Sequence, residues 1–244
     1  MTEFPRIRTV GLSGLLVQFA DAMSEPANRA ALAFRARAEA ENWPGVLETS
    51  TSLVSTYFEL DLSVLKPETL SEMLRDLLAE TDWYAAPLPS GRTLWHVPTV
   101  YGGDEGPQLV EAAEAAGVSP EQAIADLSQA RVRVLTIGFA PGQPYMGELP
   151  PHWNIPRQQG LTQSVPAGAL VVAIRQLIVF TNDTPTGWRH IGQTAFRLFR
   201  PDAVCPFALS PGDELVFPQI SAAELGRIRA TADASGGATR EALT

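Results

Sequence analysis

The stretch "GFAPGQPYMGELP", Gly138 to Pro150, holds three glycines and three prolines in thirteen residues. No helix or strand runs on through such punctuation, because proline removes a donor and fixes φ while glycine carries the highest backbone entropy cost. The apolar run "VRVLTI" just before it must therefore be a strand that ends at a rigid loop. Two more such loops follow, "IPRQQGLTQSVPAGA" and "NDTPTGWRHIGQT". Between and after them stand only short apolar runs: "ALVVAI", "QLIVFTN", "AFRLF" and "DELVFP". Short strands at turn-bounded intervals predict a barrel or sandwich for this half of the chain.

The first eighty-odd residues differ in texture. "GLLVQF" reads as a strand, and 25–42 as an amphipathic helix opened near Ser24-Glu25-Pro26 and stopped by "WPGV". "GVLETSTSLVSTYFELD" reads as one or two strands. Leu70, Met73, Leu74, Leu77 and Leu78 then recur at helical spacing. The expected order is β-α-β-β-α, followed by a Pro/Gly/Ser border at 85–92. Downstream come a strand ending at "YGG" and two short helices, with Gly117 closing the first and Ser119-Pro120 opening the second. The fold class is α+β. The expected organisation is a small N-terminal α+β domain over 1–88, a β-barrel domain over 89–225 and a frayed C-terminal tail over 226–244.

Composition removes several functions. The chain of 244 residues is 45% hydrophobic and 18% charged, as in globular proteins, and its net charge of −9 disfavours nucleic acid. No apolar run reaches the ~18 residues of a membrane helix, and the N-terminus, with Glu3, is no secretory leader. A cytoplasmic location is expected, with no nucleic-acid and no membrane partner. Lys66 is the sole lysine and precedes Pro67, so no P-loop exists. His96, His152 and His190 are widely spaced, and no metal site is evident. Cys205, in "AVCPF", is expected to be inert core.

Chemistry-bearing residues concentrate in the three loops. Tyr145, Trp153 and Trp188 offer flat apolar faces; Arg157, Arg189 and His190 offer charge; Gln143 and Gln193 offer amides. Converging at one barrel mouth, they would make a pocket for a small polar substrate. His190 and Arg157 are the catalytic candidates.

The three loops, the "YGG" turn with its two helices and "SPGDELVF" together resemble the family that holds the B subunit of 5-oxoprolinase, allophanate hydrolase subunit 1 and the kinase inhibitor KipI, built on carboxyltransferase subdomains C and D. The resemblance runs to about residue 225. It implies a cyclophilin-like β-barrel for the second domain and ATP, with magnesium, as the cofactor. It implies a partner like the C subunit of 5-oxoprolinase or allophanate hydrolase subunit 2, together with the A subunit. The function implied is that of one member of an ATP-dependent complex hydrolysing a cyclic amide. The alternatives are a KipI-like inhibitor of a sensor histidine kinase and a non-catalytic scaffold subunit. Arg175 and Gln176 match a family strand pair and join Gln143, Tyr145, Arg157, Trp188 and Gln193 as substrate-binding candidates.

Several family positions are rewritten. A histidine corresponds to Leu127, the aromatic of PGF to Gln143, a second Pro-Arg to Leu161-Thr162 and a further arginine to Ser164. Glycine, threonine and glycine correspond to Ile174, Leu177 and Ile178, and PGG reads Pro185-Thr186-Gly187. These changes remove charge from the expected pocket, and Ile174 and Ile178 are expected to fill part of it.

Overall fold

The protein is described by a computed structural model covering residues 4–243. The first three residues of the stretch read for a leader, and Thr244 of the tail, lie outside the described residues. The chain divides into two compact units, Met1–Ser90 and Gly91–Thr244.

In the first unit, strands β1 (Arg6–Val10) and β2 (Gly14–Gln18) precede helix α1 (Glu25–Ala40). Strands β3 (Val46–Ser52) and β4 (Ser55–Leu60) and helix α2 (Pro67–Leu78) complete it. The strands pair antiparallel in the order β1-β2-β4-β3. β1 is an addition to the expected order: "RIRTV" shows no alternation strong enough to announce a strand, and it forms because β2 offers it an edge. Leu15, Val17, Phe19 and Phe58 pack against Phe34 of α1 and Leu70, Leu74 and Leu77 of α2, all buried. Burial of each such side chain contributes about 2 kcal/mol. Asn28, fully buried on α1, donates to the Leu53 carbonyl at 2.6 Å and so ties the helix to the β3–β4 turn.

The second unit opens with β5 (Thr93–His96), β6 (Val100–Tyr101), α3 (Leu109–Ala116) and α4 (Pro120–Gln129). Gly117 ends α3 in the left-handed region at φ 72°, and Ser119 caps α4 by accepting from the Gln122 amide. Next come β7 (Val132–Ile137), β8 (Pro144–Gly147), β9 (Thr162–Val165), β10 (Ala169–Ala173), β11 (Gln176–Val179), β12 (Thr184–Thr186) and β13 (Arg189–Gln193). Strand β14 (Glu214–Val216), helix α5 (Ala222–Ala230) and β15 (Thr239–Ala242) follow. The main sheet runs β15-β5-β14-β7-β8-β11-β10-β13-β6, antiparallel except for β5 against β14, and β9 pairs separately with β12. The main core lies on one face of this sheet and takes in α3 and α4.

The ladder of named strands ends at β15 and β6. The chain does run on from β5 into β6, and the Val97 and Thr99 amides donate to the Val216 and Pro218 carbonyls at 2.9 and 3.0 Å. The expected frayed tail over 226–244 instead carries the end of α5 and the whole of β15, which lies along β5 in antiparallel register. Its polar composition hid it, since a strand paired only through backbone needs no apolar pattern. Cys205 is exposed rather than core, because the turns of residues 201–205 hold it out.

The "PGD" turn has a structural task. Asp213 accepts from the Thr93 amide and from the Ser210 amide, each at 2.8 Å, joining the start of β5 to the turn before β14. Burial raises its carboxyl pKa in spite of both amides. Asp213→Ala should lower unfolding stability by about 2 kcal/mol, read as a shifted urea midpoint at constant slope, because two amides lose their acceptor. An unchanged midpoint would remove Asp213 from this role.

Candidate functional site

The register of the main sheet sorts the candidate residues. Tyr145 pairs with Ile178, Ile178 with Val171, and Val171 with His190, a row across β8, β11, β10 and β13. Alternation places Gln176, Ala173 and Trp188 on the same face to one side of this row. Gln143, two residues before Tyr145, lies on it to the other side with Ala169 and Gln193, which pair directly. His190 and Gln193 are three residues apart and would point to opposite faces of a regular strand. A bulge sets Ile191 and Gly192 together against Leu170 and turns both side chains to one face.

This face opposes the main core and carries its own apolar cluster of Val165, Ala169, Val171, Ala173, Ile178, Phe180 and Trp188, with Tyr145 against it. Tyr145 and Trp188 meet edge to face at 6.2 Å. Gln143, His190 and Gln193 are all buried. Gln143 Oε1, His190 Nε2 and Gln193 Oε1 have no hydrogen-bond partner, a costly state unless something supplies one. Gln193 Nε2 donates to the Ala167 carbonyl at 2.7 Å, which leaves its oxygen as the free atom. Gly168 makes this possible: at φ 82°, a Cβ there would stand 2.3 Å from the Thr194 oxygen and 2.8 Å from Gln193 Nε2.

Burial pushes the His190 imidazole below its ordinary pKa, with the Gly192 backbone and the Gln193 amide opposing weakly. The ring is therefore neutral at pH 7 and can accept or donate a proton.

The arginines divide differently. Arg157 is exposed and lays its guanidinium 5.2 Å from the Trp188 ring. Arg175 stands in the β10–β11 turn, where Nε donates to the Leu149 carbonyl at 2.8 Å and Nη1 pairs with Glu148 at 3.2 Å. Arg189 is held by Glu111 at 2.9 Å and the Pro156 carbonyl at 2.6 Å. Trp153 is fully buried in the main core. Arg175, Arg189 and Trp153 thus serve scaffolding contacts.

The rewritten positions also separate. Leu127 and Leu177 lie in the main core, and Leu161 and Ser164 are exposed. Ile178 sits in the site row, as expected of a residue filling space there. Ile174 does not: it occupies the turn beside Arg175, 42% exposed, with φ 44°. The two-residue turn needs positive φ at both positions, whichever residues supply them.

Two functional residues went unread in the sequence, Gln108 and Gln158. Gln108 Oε1 accepts the His190 amide at 2.8 Å, and its Nε2 donates to Gln158 Oε1 at 2.8 Å. Gln158 Nε2 donates to the Trp188 carbonyl at 2.9 Å. This pair of amides clamps the backbone on which Trp188 and His190 stand. The only signal for Gln158 was its place in the "PRQQG" loop, and Gln108 had none. Among the described residues, no three His, Cys, Asp or Glu side chains gather as metal ligands.

Comparisons with known proteins agree with this architecture. The sequence profile of the carboxyltransferase domain, subdomain C and D, matches residues 5–209. The chain is 31% identical over 228 residues to the B subunit of 5-oxoprolinase from Bacillus subtilis (strain 168), covering 91% of this chain and 95% of that one. The crystal structure of TTHA0988 superposes with a TM-score of 0.71 at 29% identity, over 89% of this chain and 40% of that one. Kluyveromyces lactis urea carboxylase gives 0.71 at 15% identity over 97% of this chain, a likeness of fold alone. This chain spans 24% of that larger enzyme.

Two measurements follow from the geometry. Ile174→Asn should stabilise the protein by about 1 kcal/mol, because asparagine tolerates the left-handed region better than a β-branched residue; a lower melting temperature would contradict this. The folded state resists protonating His190, whereas the unfolded chain titrates near ~6.5. Wild-type stability should therefore fall, relative to His190→Asn, as pH drops below about 6.5. A difference constant between pH 7 and pH 5 would show that His190 is not held neutral by burial.

Proposed function

The chain belongs to the carboxyltransferase domain family, subdomains C and D, and on that premise we propose that it is one subunit of an ATP-dependent amidohydrolase complex of the 5-oxoprolinase kind. Its partners in this reading are the related C subunit, of the allophanate hydrolase subunit 2 type, and the A subunit, in the cytoplasm. No helix of the described residues is long and apolar enough to cross a membrane. The second unit is read as a cyclophilin-like barrel that closes through Val97–Thr99, with its border to the first unit near residue 88.

The observation that carries the reading is the one sheet face on which three buried side chains each keep an unpartnered polar atom beside two aromatic rings. Buried polar atoms normally find a partner in the protein or in what binds to it. The arrangement suits a small cyclic amide. Tyr145 and Trp188 wall the ring, the amide oxygen of Gln143 accepts from its N–H, and neutral His190 moves a proton to or from it. ATP supplies the activation that an unreactive lactam carbonyl lacks. Arg157, exposed over Trp188, offers charge to an anionic group at the rim of this wall.

The regulatory reading has one observation in its favour. Phe139, in the first loop, is 76% exposed and has φ 71°, an unusual state for a large apolar residue. Such a residue suits docking, and it fits a seam with another subunit as well as a kinase.

The test is purification of the tagged protein from its host with its partners, followed by reconstitution with ATP and 5-oxoproline. Turnover is expected from the assembled complex. His190→Gln should lower kcat about a hundredfold with little change in KM. Absence of turnover together with stoichiometric capture of a histidine kinase would transfer the assignment to regulation. Wild-type kinetics in His190→Gln would remove the histidine from the chemistry.

A further inference from the structure

The open edge of the first unit's sheet is β1. It pairs with β2 over five residues in unbroken register, and among the described residues no strand lies on its other side. Such an edge presents backbone donors and acceptors to any extended chain. Ile7 pairs with Val17 and Thr9 with Leu15, and Leu15 and Val17 belong to the core beneath α1 and α2. Ile7 and Thr9 therefore stand on the helix face, and Arg6, Arg8 and Val10 on the opposite one. Ile7 packs partly against that core, whereas Thr9 is exposed.

A groove of about 410 Å³ runs along this edge, with Ile7 and Thr9 on its floor and Glu68, Ser71, Glu72 and Arg75 on its wall. Those four wall residues form one stripe of α2, so the helix lies along the edge while Leu70, Leu74 and Leu77 turn into the core. Glu68, Glu72 and Arg75 are exposed and make no side-chain hydrogen bond or ion pair among the described residues. The stripe is acidic towards its N-terminal end and basic at its C-terminal end. Two such helices related by a two-fold axis run antiparallel, which sets Glu68 of each against Arg75 of the other. Glu72 lies one turn from Arg75, which offsets its charge. The surface is complementary to itself, as an isologous contact requires.

We propose that a second copy of this chain docks here, adding its β1 antiparallel to the first so that one sheet runs through both copies, with the two α2 helices side by side over the seam. Charge fixes the register. A two-fold axis normal to the sheet keeps both helices on one face and sets one residue of β1 against itself. An axis at Ile7 would oppose Arg6 to Arg8, and one at Arg8 would oppose Arg8 to itself; like charges directly opposite destabilise a strand pair. Axes at the ends of the strand would pair fewer residues. An axis at Thr9 opposes threonine to threonine and Arg8 to Val10, which is 43% exposed and offers apolar surface to the arginine stem. The contact belongs to the first unit alone and does not rest on the proposed function.

The experiment is sedimentation velocity of the full chain over a micromolar concentration series. A reversible dimer is expected, weak because the paired strand is short. Thr9→Lys, which opposes two lysines at the axis, should leave only monomer. Glu68→Arg and Arg75→Glu should each weaken the dimer about tenfold. The double exchange should restore it, since the same pairs then form with their signs reversed. Arg227→Gln, in the second unit, should dimerise as wild type does, and melting curves verify that each variant folds. Monomer at every concentration overturns the proposal and leaves the edge to a chain of another kind. Wild-type dimerisation by Thr9→Lys, or a double exchange as weak as its single variants, overturns it as well. Those results leave the proposed function standing, since turnover by the assembled complex decides that one independently.

Discussion

A strand has a two-residue period, so side chains three apart cannot share a face unless the period is broken. The bulge of β13 opposite Leu170 is that break. Everything proposed for the second unit depends on it. Ahead of the bulge, His190 joins the row of Tyr145, Ile178 and Val171; beyond it, Gln193 pairs with Ala169 on the same side. Without the extra residue, either the histidine or the glutamine would enter the main core, where neither could find a partner. The bulge also leaves Ile191 in that core, so the apolar packing beneath the site survives its insertion.

The face so assembled is held from outside its own strands. The amides of Gln108 and Gln158 bind each other and then the backbone at Trp188 and His190. Neither bears charge. Cations stand close by, yet Arg175 and Arg189 are each committed to a carboxylate and a carbonyl. The resulting interior is polar without being ionic. Such surroundings favour a neutral imidazole and strengthen any hydrogen bond a ligand makes there, because the local dielectric is low.

Much of this architecture was legible in the chain. Glycine and proline marked the loops, leucine spacing marked α2, and Ser119 and Gly117 marked the ends of the paired helices, since each of these signals is local. The edges of the sheet were not: β1 and β15 form because a neighbouring backbone is available, and nothing in "RIRTV" or "TREA" records that neighbour. The site was half legible. Residue type singled out Gln143, Tyr145, Trp188, His190 and Gln193, the family resemblance added Gln176, and the register gathers all six on one face. Arg175 and Ile174 stand in a turn away from that face. Matching a motif gives a position in the chain but not a direction, and a two-residue turn sends both outward. Gln108 could not be read, because its task is set entirely by a strand more than 80 residues away.

The placement of β5 has a consequence for synthesis. It is the earliest strand of its unit to leave the ribosome, yet its two ladder partners are β14 and β15, the latest. For the time needed to translate more than a hundred residues, the edges around Leu94 and Trp95 stand bare to any other extended chain. Exposed edges of that kind are where nascent proteins aggregate. The unit is thus one whose folding is gated by translation of its own last elements.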